Sequence, residues 1–154
     1  MADGAYAEAR QLCQESLVVF EGMEQWAHVI VAHATVAEVA LLLGDLGQAQ
    51  QHLAEALRRV IEHRSFLALL LTLPVVARLL AEQGQAERAV EVYALASRYP
   101  YVANSRWYED LVGQRIAAVA ATLPPEVVAA AQERGRARDP WATAEELAAE
   151  LAGG

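Results

Sequence analysis

A glycine returns at a step of forty residues, at Gly4, Gly44 and Gly84, and other positions keep the same step. Alanine follows each glycine five residues later, at Ala9, Ala49 and Ala89. Next come Cys13, Leu53 and Tyr93, then Ser16, Ala56 and Ala96. The pairs Val36–Ala37 and Val76–Ala77 precede the glycines in register, and Ile116–Ala117 extends the series although Pro124 replaces a fourth glycine. Fixed-period self-similarity marks an architecture in which each unit buries its apolar face against its neighbours. The repeat constrains the scaffold and leaves open what the scaffold holds.

The units read as helices. Alternation is absent, and the long windows are rich in Ala, Leu, Glu and Gln. Helices are expected over 5–20 and 24–43. A third runs to His63 from an Asp45 cap, with Gln48 completing a capping box. The fourth, over 66–83, holds Pro74, which removes an N–H and crowds the preceding turn. A fifth follows Gly84 to Ser97, and Pro100 makes 98–104 irregular. Asn104 or Ser105 caps a sixth helix reaching Thr122, Pro124–Pro125 opens a seventh to Arg138, and Thr143 with Glu146 boxes a last short one. The expectation is an all-α single domain over 1–154, about eight helices in antiparallel hairpins, with 139–154 as a C-terminal capping helix.

The Gly, Ala, bulky residue, Ala pattern resembles the tetratricopeptide repeat, best over 29–96. In that family the glycine closes the turn of a helix hairpin and small residues, here Ala37, Ala77 and Ala117, let the helices approach. The resemblance implies a right-handed superhelix with a concave groove. The chain departs from the family in its longer unit, in His33, Leu73 and Gly113 standing where an aromatic is usual, and in the prolines of the fourth unit. The long unit, with the run from Ser97 to Tyr108, is similar to the C-terminal repeat regions of large bacterial multidomain signalling and transcriptional regulators.

Charge and chemistry narrow the functions. The net charge is −8 and all basic residues are arginine. An acidic domain repels phosphate backbones, so no nucleic-acid partner is expected. Apolar runs stop short of the roughly 20 residues a membrane span needs; the longest, 66–77, contains Pro74. The start MADGAYAEAR lacks a signal-peptide pattern, and one cysteine, Cys13, forms no internal disulfide, which suits a reducing compartment. The expected location is cytoplasmic. His28 and His33 are five apart, while paired metal ligands on a helix need three or four. No metal or cofactor is expected, and with no nucleophile beside a base, no enzymatic activity.

Two features stand above background. Glu38 and Arg78 are one repeat apart, so with Gln114 they are expected to line the groove, either as an ion pair across it or with Arg78 meeting an acidic group. Five of the ten aromatics fall within 93–108 beside Arg98 and Arg106, which makes the Arg106, Trp107, Tyr108 corner a second partner surface, since aromatics and Arg anchor interfaces. The expected function is a non-enzymatic scaffold binding a partner helix or peptide; the alternative is a sensor of a small effector within a larger regulator. Leu12, Leu17 and Phe20 give the first helix more apolar surface than one neighbour covers, which predicts a chain cut from a longer repeat protein or a homodimer through this end.

Overall fold

In a computed structural model, residues 2–153 are described, with side chains from residue 4 onward. All regular structure among them is helical: α1 (Ala2–Gly22), α2 (Trp26–Leu42), α3 (Leu46–His63), α4 (Phe66–Glu82), α5 (Ala86–Ser97), α6 (Pro100–Ala103), α7 (Arg106–Tyr108), α8 (Gln114–Ala120), α9 (Pro125–Ala137) and α10 (Pro140–Gly153). A π turn over Glu109–Gly113 joins α7 to α8. The all-α expectation holds.

The turns obey a period that only half shows in the sequence. Gly44 and Gly84 are left-handed at φ +78° and +79°, and so are Glu24 at φ 55° and Arg64 at φ 51°. These four residues lie twenty apart. Each is followed by a residue whose N–H reaches back five positions: Gln25 to Phe20, Asp45 to Ala40, Ser65 to Val60 and Gln85 to Leu80, at 2.8–3.3 Å. That bond is the 6→1 closure of the Schellman motif, which satisfies carbonyls that a helix end leaves open. Helix plus turn is therefore a twenty-residue module from α1 to α4.

Gly4 does not share this role. It lies inside α1, away from any turn, so the first glycine of the series marks a register and no hairpin. Asp45 caps α3 by accepting from the Gln48 N–H at 3.1 Å; the capping box stays half made, because the Gln48 side chain accepts from Arg10 Nη1 instead. The irregular segment after α5 contains the single turn α6, opened by Pro100. Ser105 caps α7. The last helix begins three residues before the expected cap at Thr143, with Asp139 accepting from the Ala142 N–H at 2.8 Å.

Two compact units share the chain, with boundaries inside α4 and α10: residues 1–72 with 144–154, and residues 73–143. In the first, α2 packs on both α1 and α3. Its buried core includes Val29, Ile30, Val36, Leu53, Leu57 and Val60. Ala49 is fully buried, as the repeat pattern anticipates for a small residue between close helices. The end of α10 belongs to this unit, where Gln50 donates to the Leu151 carbonyl at 3.1 Å. Residues 50 and 151 meet directly, whereas a linear stack restricts contacts to successive repeats. In the second unit α5 packs on α8 and α9, with Ala89, Leu95, Val112 and Ile116 in its core.

Candidate functional site

The outer face of α1 leaves several large apolar side chains open in the first unit. Leu17 turns inward, 7% exposed, and joins Val29, Ala32 and Val36 in a core that Cys13, Phe20 and Trp26 flank. Leu12, Val18, Val19 and Met23 turn outward, each between 57% and 71% exposed. The three residues expected to self-associate thus divide: Leu12 is on the open face, Phe20 at its edge, and Leu17 inside. Two shallow depressions continue this face, one lined by Leu12, Glu15, Ser16, Val19 and Phe20, the other by Cys13, Phe20, His28, Val31 and Thr35 along α2. Phe20 and His28 stack at 5.1 Å across the groove. Burial raises the Cys13 thiol pKa, so the sulfur behaves as a small apolar group. Glu8, Glu15 and Glu24 are exposed near the stripe, while Arg10 is occupied by Gln48 and Asp45.

Behind this face lies a polar cluster around the buried His33 that the sequence did not announce. Nδ1 of His33 on α2 and Nδ1 of His52 on α3 are 2.9 Å apart, so one ring donates to the other. Burial, then the neighbouring His52, pushes His33 down to about 4. Glu21 stands 4.0 Å from His33 Nε2 and 3.9 Å from Arg59. Arg58 and Arg59 both donate to Glu55 and hold its carboxyl down to about 2. Arg59 also lies over Trp26, 4.9 Å from the ring centre, and Trp26 stacks on His63 at 4.7 Å. The arrangement ties three helices together. No group of three potential ligands among the described residues could hold a metal ion, and no described helix is long and apolar enough to cross a membrane.

The residues expected to line a groove have other surroundings. Glu38 is buried, 7% exposed. Arg78 is half-buried and donates from Nη1 to the Leu111 carbonyl at 2.6 Å, so its charge serves the backbone of the π turn. Gln114 is exposed and reaches Asp110 on its own helical face. The aromatic corner splits as well: Trp107 is 63% exposed and Arg106 is exposed, but Tyr108 is buried.

The second unit contains a cavity of about 370 Å³ between α5, α8 and α9. Val90, Ala94, Ile116, Ala117 and Ala120 give it apolar walls, and Tyr93, Ser97, Arg98, Gln132 and Arg136 supply polar groups. Burial and the Glu109 carboxylate raise the Tyr93 pKa, and its oxygen is hydrogen-bonded with Ser97. Arg98 Nη1 donates to the Arg136 carbonyl at 2.7 Å, and the guanidinium stacks on Tyr99. Tyr93 and Gly113 are equivalent to repeat positions on other helices, but nothing in their local sequence places them at a common cavity.

Compared with protein-family models, curated proteins and solved structures, the chain has no match.

Proposed function

We propose that this protein is a non-catalytic interaction module whose α1 face receives an amphipathic helix with basic flanks from a protein partner. The observation carrying this reading is the outward row of Leu12, Val19 and Met23, spaced seven and four residues apart and each more than half exposed, since apolar side chains repeated on one helix face mark an interaction surface. A shallow groove between two helices suits helix-in-groove recognition, with anchors at three- and four-residue spacing. The acidic rim selects the partner's charge. Glu8, Glu15 and Glu24 repel a second copy of the same face and attract lysine or arginine beside an apolar stripe. A cytoplasmic regulatory setting, with the chain serving a larger signalling system, accords with this reading.

Fluorescence anisotropy with two labelled amphipathic peptides tests it, identical in their apolar stripe and flanked by Lys or by Glu. The Lys-flanked peptide binds saturably, and more weakly as salt rises, while the Glu-flanked one does not. Val19→Glu, at a solvent-facing position, abolishes binding without changing the circular dichroism spectrum. Equal affinity for both peptides, or none for either, overturns the proposal. A dimer in sedimentation that Val19→Glu dissociates overturns it in favour of self-pairing.

A further inference from the structure

The twelve arginines of this acidic chain are nearly all engaged. Arg58 and Arg59 bind Glu55, Arg115 binds Glu82, Arg134 binds Glu87 and Glu91, and Arg138 binds Glu91. Arg10, Arg78 and Arg98 have amide or carbonyl partners, and Arg64 and Arg88 have partners too. Among the described residues, only the guanidinium groups of Arg106 and Arg136 are left with no hydrogen bond or ion pair. Arg106 stands in solvent on α7. Arg136 lines the cavity of the second unit.

Around Arg136 the acids are already taken, since Glu87 and Glu91 face Arg134 and Arg138 on other sides of α9. Arg98, also at the lining, is turned by backbone carbonyls and has no carboxylate partner of its own among the described residues. The lining therefore carries two guanidinium groups without a carboxylate partner, in a chain of net charge −8. The lining at Tyr93 and Gly113 differs. There the Glu109 carboxylate approaches Tyr93 and Gly113, and a Cβ at Gly113 would overlap Glu109 and stand 2.8 Å from the Tyr93 hydroxyl. The apolar wall is Val90, Ile116 and three alanines. About 370 Å³ falls within the roughly 300–1,000 Å³ of small-molecule sites.

We propose that this cavity binds a small carboxylate with an apolar body, its carboxylate on the guanidinium of Arg136 and its apolar end against Val90 and Ile116. A guanidinium fork matches the two oxygens of a carboxylate, and one unpaired fork suits one negative charge. Glu109 adds polarity, because its carboxylate, close to Gly113 and Tyr93, repels the ligand's charge from that part of the lining. Gln132 and Ser97 supply neutral hydrogen-bonding groups at the lining. The ligand sits in the second unit, remote in sequence from the α1 face, so either proposal can fail without the other.

The test is a titration of the full ¹⁵N-labelled chain, followed by amide chemical shifts, with octanoate and phenylacetate as probes. Octanamide, phenylacetamide and phenyl phosphate serve as matched controls. At least one carboxylate shifts the amides of Ala94, Ala117 and Ala120 saturably, and its amide analogue binds roughly tenfold or more weakly. Arg136→Gln removes the carboxylate preference and leaves amide binding unchanged. Ala117→Phe, at an exposed lining position, blocks both. The proposal is overturned if neither carboxylate binds saturably, if the shifts lie elsewhere, if Arg136→Gln keeps the preference, or if phenyl phosphate binds more tightly. Should Arg136→Gln fail to fold, the acid–amide comparison and Ala117→Phe decide alone.

Discussion

Two glycines with different reasons for lacking a side chain show how much physics a single residue can hide. At Gly135 the α9 backbone lies so close to α5 that a Cβ would overlap the Glu91 carbonyl oxygen and stand 2.9 Å from the Ala94 Cβ. At Gly44 a Cβ would meet nothing within 4 Å, but φ is +78°. Gly135→Ala must push a backbone carbonyl, which gives way poorly, and is expected to cost about 3 kcal/mol. Gly44→Ala carries only the left-handed strain, about 1 kcal/mol. Paired chemical denaturations should rank them in that order, and a smaller loss at Gly135 would contradict close α5–α9 packing. The sequence exposed Gly44 because it interrupts an apolar run beside a capping Asp. It could not expose Gly135, whose obstacle is forty-four positions away at Glu91. Glu24 and Arg64 were hidden for a related reason. Their turns are closed by hydrogen bonds strong enough to hold non-glycine residues at positive φ, so composition gives no sign of them. Arg64→Gly relieves that strain and is expected to leave stability unchanged or slightly raised, read by the same denaturation.

At the scale of elements, the departure from plain helix at 109–113 shows where a local reading stops. Residues 105–122 look like one helix, and their propensities do not oppose that. The π turn appears where Gly113 passes the Tyr93 hydroxyl and the Glu109 carboxylate, and where the Leu111 carbonyl accepts from Arg78 on α4. Glu109 is local, but Tyr93 and Arg78 belong to other helices, so no window along the chain contains the whole cause. Insertions of this kind often adjoin functional sites, and this one borders the cavity. Arg78→Met keeps the apolar stem but leaves a half-buried carbonyl without its charged donor. The expected loss is about 2 kcal/mol, with hydrogen exchange accelerating over 109–113 before α5. If exchange there is unchanged, Arg78 does not hold the turn and a role toward a ligand regains its case.

For the whole molecule, the helical class and most helix boundaries were legible because apolar spacing and Gly or Pro breaks are local signals. The end of α10 against α3 was not, since the Gln50–Leu151 bond joins residues with no mark of kinship. The histidine pair was equally invisible: His33 and His52 lie nineteen apart on different helices. Their effect is on the acid stability of the chain. Unfolded, His33 takes a proton near pH 6.5; folded, it resists until about 4. The folded pKa is lowered, so the stability of the neutral ring is complete above about 6.5 and declines as pH falls towards 4, by at most about 3 kcal/mol. His52, also lowered, acts in the same direction. Facing the pair are Glu21 from α1 and Glu55, Arg58 and Arg59 from α3. Glu55, lowered from 4.5 to about 2, contributes stability above 4.5 that is lost only as pH falls below it. Melting temperature should therefore fall in two successive windows, first between pH 6.5 and 4 and then between 4.5 and 2. His33→Gln, which removes the buried imidazole but leaves the burial that lowers His52, should make the first window shallower and leave the second. A wild-type profile that is level from pH 7 to 4.5, or a variant profile parallel to it, would show that the buried pair is not what acid attacks first.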